Sequence, residues 1–375
     1  MLSKMKSIKK LKLHILTSNS HNGLDWIHSL FDNHKDVLIM PAISLMRTIT
    51  KYEIDIDNLS YKKIVKIFSY IFYRIPGYQV QRRKFICSKK QQINFEIFFL
   101  QYLKQDDEPN LIKKIFYGIH YSYAKLYKID INKKKIIIAQ EHLSFHCEMY
   151  EELFSPKFMF VIRDFRAAFS GSLKAGTKIN NGLKTYANQF DKILINWILG
   201  TKFINYLRKK NKKKYYFIMN EKFNLDLKKN MKRISAWLNI SYQSSSLKQT
   251  FLGQDWYGES SYLVDGSKGT TDLNEYAPKN FYNIKNVNER WRSFLTSKEI
   301  KLFNTFFSRE LYNFGYIKNK DNIVKYFLSF LKINFIYLKQ KTYFFNKYLI
   351  ISRNIVRRFF IIYFPRLSIK LFKIY

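Results

Sequence analysis

Asn22 and Gly23 lie in the stretch Thr17-Ser18-Asn19-Ser20-His21-Asn22-Gly23-Leu24-Asp25, a small-residue turn between an apolar run and a helix-like one that ends Asp32-Asn33-His34. A strand, a small-residue turn and a helix make an anion site, because the first-turn amides have no intrahelical acceptor and the helix dipole is positive there. The turn lacks the Lys-Ser/Thr ending of a nucleoside-triphosphate loop, which removes the main support for a Mg-ATP kinase. A second cluster, Arg163-Asp164-Phe165-Arg166 with Ser170, again closes an apolar run. Arg163 can clamp a phosphate with two parallel hydrogen bonds at any pH, and Ser170, about two helical turns on, can add a hydroxyl. The structural alternative is a strand-end ion pair with a solvated serine. A third cluster, Gln140-Glu141-His142 with His146, supplies proton acceptors that attack by a hydroxyl or amine would need. His142 and His146 lack the intervening Glu of a zinc-protease helix, and no metal is expected.

The elements that must position these clusters are five short apolar segments, Lys12 to Thr17, Val37 to Met40, Lys135 to Ala139, Phe158 to Ile162 and Tyr215 to Met219, which read as buried strands. Helix-like stretches separate them. Alternating strands and helices predict a three-layer α/β fold around a central parallel sheet, with ligands beyond the carboxyl ends of the strands. All three clusters follow strands. Residues 44–130 carry Phe, Tyr, Ile and Lys at roughly helical spacing, with a turn at Pro76-Gly77, and read as a helical insertion in a domain spanning 1–320. Residues 321–375 form a separate basic, aromatic-rich helical extension with eleven Lys or Arg and one acidic residue.

The 375 residues suffice for one large domain with an appendage, and the 47% apolar and 18% aromatic content exclude a disordered chain. A formal charge of +38 favours anionic partners, although the abundance of Lys, Ile, Asn, Phe and Tyr also fits the drift of an AT-rich genome. Cys87 and Cys147 are the only cysteines, which predicts no disulfide framework. No uncharged apolar run reaches the roughly 18 residues of a membrane span, so the expected location is cytoplasmic, with peripheral attachment to the inner membrane face through 321–375. The competing reading packs that extension on the main domain. No nucleic-acid-binding signature is seen.

Taken in order, the clusters resemble the sulfotransferase family that uses 3′-phosphoadenosine 5′-phosphosulfate (PAPS). Residues Ser20 to Asp25 resemble its 5′-phosphosulfate loop: Asn22 and Gly23 hold the Ser-Gly places, His21 replaces the usual Arg or Lys, Leu24 and Asp25 replace a Thr pair, and Lys35 replaces Pro after His34. Val161-Ile162-Arg163-Asp164-Phe165-Arg166 with Ser170 is similar to the 3′-phosphate motif, with Phe165 in the Pro place. Glu141 matches a Glu that faces the acceptor, and His142 replaces the Lys beside it. Asn220-Glu221-Lys222-Phe223, Thr250 to Ser261, Arg290-Trp291-Arg292 and Phe314-Gly315-Tyr316 resemble later elements of the family.

The resemblance implies a transferase that moves the sulfuryl group of PAPS to a hydroxyl or amine acceptor, a carbohydrate or glycolipid being the analogy's choice, without metal. It assigns donor binding to Ser20, His21, Asn22, Gly23, Leu24, Asp25, Arg163, Ser170 and Lys268, and catalysis to Glu141, His142 and His21. The altered donor loop leaves as an alternative an inactive relative that docks on membrane or glycan, and a small-molecule kinase as a third reading.

Overall fold

The computed structural model describes residues 8–19, 22–40, 44–51, 53–74, 88–170, 196–207, 213–251, 253–255, 288–293, 295, 297–319 and 328. Ser20, His21, Lys268, the Pro76-Gly77 turn, residues 256–261 and all of the extension but Leu328 lie outside them.

Five strands, β1 (Lys12–Ser18), β2 (Val37–Ile39), β3 (Ile136–Glu141), β4 (Lys157–Ile162) and β5 (Tyr215–Met219), form one parallel sheet in the order β2-β3-β1-β4-β5. The five apolar segments are these strands, with ends shifted by at most two residues. They read as continuous apolar runs because both faces are covered. Leu13, Ile15, Ile137, Ala139, Phe158 and Phe160 enter one core; Leu16, Ile136, Ile138, Met159 and Val161 enter the other. The register sets Ile15 against both Ala139 and Phe158, so same-face residues of neighbouring strands share one core.

Helices α1 (Leu24–Ser29), α9 (Asn220–Leu225) and α10 (Leu227–Leu238) cover the second face through Trp26, Ile27, Phe223, Met231, Ile234 and Leu238. The first is covered by α3 (Tyr61–Arg74), α4 (Lys89–Gln105), α5 (Leu111–Leu126) and α6 (Cys147–Phe154). The described part of 44–130, which also holds α2 (Leu45–Lys51), therefore supplies most of a layer of the fold. Phe68, Phe99, Tyr102, Phe116 and Tyr123 pack directly into the sheet's core. Local signals start these helices. Ser88 and Gln91 form a reciprocal capping box at α4, and the Asn110 side chain accepts the Lys113 amide at 3.0 Å at α5. Lys9 ties the chain start to the α4–α5 turn through ion pairs with Asp106 and Asp107.

Residues 165–170 (α7) and 196–207 (α8) are helical, and α11 (Ser297–Phe306) and α12 (Ser308–Asn313) follow. An aromatic cluster joins α7, α8 and α11 with the residue before α12: Phe165 meets Phe307 at 4.0 Å and Trp197 at 4.8 Å, and Phe169 meets Phe303 at 4.9 Å.

Candidate functional site

The carboxyl ends of β1, β3 and β4 bring the sequence clusters together. At the end of β1, Asn19 is buried and its Oδ1 accepts the Ser144 hydroxyl at 2.5 Å. A Cβ at Gly200 of α8 would collide with both groups, so glycine is what lets that helix close on the loop. Asn22, also buried, donates from Nδ2 to the carbonyl of Val161 on β4 at 3.1 Å. Gly23 caps α1 at φ +85°, a left-handed conformation that favours glycine, and the Asn220 amide donates to the Asn22 carbonyl at 2.6 Å. Leu24 is buried in the second core, and the Asp25 carboxylate accepts the Gln140 amide of β3. Of the turn's described side chains, Asn22 and Leu24 are thus committed to the fold, and Asp25 sets a negative charge in the first turn of α1.

The loop after β4 is built around a buried carboxylate. Asp164 accepts the Arg166 amide at 2.9 Å, which starts α7, and it holds the Arg166 guanidinium through Nε at 2.9 Å and Nη2 at 2.5 Å. The same guanidinium donates to Asn304 at 2.6 Å and stacks 4.6 Å over the Trp291 ring. Asp164 therefore pairs with Arg166, and Arg163 takes no part in that pair. Trp291 of the Arg-Trp-Arg stretch belongs to this assembly, a juxtaposition its sequence position gave no sign of. Arg163 is half-buried at the carboxyl end of β4. Beside it, the Glu221 carboxylate of α9 accepts the Asp164 amide at 2.9 Å and the Tyr316 hydroxyl at 3.0 Å. Burial pushes the Glu221 pKa up, and the Arg163 charge opposes that rise. Ser170 is buried, with its hydroxyl turned to the Ala167 carbonyl at 3.0 Å.

At the end of β3 the two candidate proton acceptors differ in environment. Glu141 has no exposure; its oxygens accept the Leu143 amide at 3.3 Å and the Arg47 amide at 3.4 Å, and His146 Nδ1 lies 3.5 Å away. Burial, with the Glu141 charge as the next cause, pushes the neighbouring Cys147 thiol and Tyr150 hydroxyl well up. His142 is half-buried, and its backbone N–H donates to Ser44 Oγ at 2.9 Å.

The Asp32-Asn33-His34 segment closes the opposite, amino-terminal edge of the sheet. His34 Nδ1 accepts the Asp36 amide at 3.1 Å, so Nε2 carries the proton that it donates to the Ser241 carbonyl at 2.8 Å. Burial lowers its pKa, consistent with this neutral tautomer. Asp32 accepts the Gly253 amide at 2.8 Å, in the turn between the short strands β6 (Thr250–Phe251) and β7 (Gln254–Asp255). Among the described residues, no group of three or more His, Cys, Asp or Glu is arranged to hold a metal ion, and no helix is long and apolar enough to cross a membrane.

The sheet order, the two covering layers and the polar loops at one edge define a three-layer α/β protein with a candidate site beyond the carboxyl ends of β1, β3 and β4. Solved structures similar to this chain include the sulfotransferase domain of the Synechococcus PCC 7002 olefin synthase, at 15% identity and a TM-score of 0.46, covering 82% of this chain and 95% of that one. The sulfotransferase domain from the curacin biosynthetic pathway is similar at 13% identity and a TM-score of 0.45, covering 82% and 99%. No protein-family model matches the chain, and no curated protein matches it.

Proposed function

We propose that this protein is a sulfotransferase that binds PAPS and passes its sulfuryl group to an acceptor hydroxyl or amine. The observation that carries the reading is the hydrogen bond from Asn22 to Val161. It joins the turn after β1 to the end of β4, so the two segments proposed to bind the donor's anionic groups, about 140 residues apart in sequence, lie side by side on adjacent parallel strands. The donor's 5′-phosphosulfate would lie over residues Ser20 to Asp25, contacted mainly by backbone amides, because Asn22 and Leu24 face inward. Its 3′-phosphate would lie on Arg163, with Ser170 reached by rotation of its hydroxyl away from the Ala167 carbonyl. His21 and Lys268 complete the donor contacts in this reading.

His142 is the proton acceptor that the environment favours. It is partly exposed, whereas Glu141 is fully buried and engaged by two backbone amides. Catalysis then rests on in-line positioning and on charge stabilisation at the leaving phosphate, and no metal enters the reading. The acceptor is a carbohydrate or glycolipid by family analogy alone, and residues 321–375 would hold the protein at an anionic membrane surface on the cytoplasmic side. Asp25 favours a second reading, a fold relative without donor chemistry, because a carboxylate in the first turn of α1 repels the anion that the turn would otherwise attract.

Release of 3′-phosphoadenosine 5′-phosphate from PAPS in the presence of sugar and phenol acceptors tests the reading. Acceptor-dependent release that falls about 100-fold or more in His142→Gln supports it. No release with any acceptor favours the second reading.

A further inference from the structure

Two distant chain segments converge on the Glu221 carboxylate at the carboxyl edge. The Asp164 amide after β4 donates to one oxygen at 2.9 Å, and the Tyr316 hydroxyl, from beyond α12, donates to the other at 3.0 Å. The charged and titratable groups that face it are Arg163 and Asp164 from the end of β4 and Tyr316, while Arg166 is turned to Asp164 and Asn304. Glu221 therefore holds the backbone amide next to Arg163, and the Arg163 charge in turn favours its ionised form.

We propose that Glu221 is the positioning residue for Arg163: its carboxylate holds the 163–164 turn in place, and it takes up a proton from solvent when a phosphate docks on the guanidinium. This inference rests on the reading of Arg163 as a phosphate clamp. The physical reason is that a phosphate docked on Arg163 sets a second negative charge near a buried carboxylate. The docked anion makes the neutral carboxyl the favoured form, and a neutral carboxyl still accepts the Asp164 amide. Burial raises the Glu221 pKa, which favours the neutral form.

Two measurements test it. The first is calorimetric titration with 3′-phosphoadenosine 5′-phosphate in buffers of different ionisation enthalpy, on wild type, Glu221→Gln and Glu221→Ala. Glutamine keeps an acceptor for the Asp164 amide and cannot titrate. The expected result is proton uptake by wild type beyond that of Glu221→Gln, and an affinity that falls about threefold or more further in wild type than in Glu221→Gln as pH rises. Glu221→Ala, which frees the turn, binds about tenfold or more weaker than Glu221→Gln at every pH. Equal proton uptake and parallel pH profiles in wild type and Glu221→Gln overturn the proposal. The second measurement needs no ligand: a double-mutant cycle of unfolding stability with Arg163→Gln and Glu221→Gln. Coupling at about pH 8 that disappears at about pH 4 sustains the pairing, and additivity at both overturns it. If wild type binds no nucleotide, the donor reading fails while this cycle still decides the role of Glu221.

Discussion

The side-chain amide of Asn220 donates to the carbonyl of Asn22 at 2.6 Å and fills the space that a side chain on Gly23 would need. The turn after β1 is thus held by α9, and its shape depends on the absence of a Cβ at a residue with φ +85°.

Gly23→Ala combines left-handed strain with a steric conflict against Asn220, and is expected to cost ~2 kcal/mol or more of stability. Denaturant unfolding measures it. Asn220→Gly in the same chain makes room for the new methyl group, so the double variant should be less unstable than the sum of the two singles.

Arg166→Ala leaves Asp164 buried without its partner and is expected to cost ~3–5 kcal/mol. Arg166→Lys should recover little, because a single ammonium cannot reproduce the forked contact with Asp164 together with the Asn304 bond and the stacking on Trp291. Urea titration of the three proteins checks the order.

Phe165→Pro restores the residue of the resembled motif and should nevertheless destabilise the chain. Position 165 opens α7 after the Asp164 cap, where proline's backbone is tolerated. The loss comes from the Phe307 and Trp197 ring contacts at 4.0 and 4.8 Å, and ~3 kcal/mol is the expected size. A thermal midpoint equal to that of wild type would contradict the packing account of this departure.

His14 and His120 are buried and neutral, each with its pKa lowered to about 4, first by burial. In the unfolded chain both titrate near 6.5, so the unfolded state binds more protons between those values. The stability they contribute is present above about pH 6.5 and is lost as pH falls towards 4, ~3 kcal/mol from each at the limit. His120→Asn keeps a donor near the Phe116 carbonyl that Nδ1 engages at 2.8 Å. It should flatten the stability–pH slope in this window, as read from unfolding midpoints at stepped pH.

The five strands were legible because a strand covered on both faces is an uninterrupted apolar run, as Ile136-Ile137-Ile138-Ala139 is. The loops after β1, β3 and β4 were legible because each strand ends abruptly in polar residues. What the sequence hid are relations between distant segments: Tyr316 on Glu221, Trp291 on Arg166, and Gly200 against Asn19 and Ser144. Nothing local marks these, since each contact forms only once segments far apart in sequence are in place. The helices of 44–130 read as an insertion for the same reason: their apolar faces do not name the surface they cover, and that surface is the sheet itself.

The proposed donor site is formed by the ends of β1 and β4, with Arg163 as the phosphate clamp. Calorimetric titration of the whole chain with 3′-phosphoadenosine 5′-phosphate, wild type against Arg163→Ala, tests it most directly. Micromolar binding to wild type that falls about 100-fold or more in Arg163→Ala is the result predicted for loss of a charge-assisted bidentate contact. No binding to wild type, or equal binding by both proteins, would contradict it.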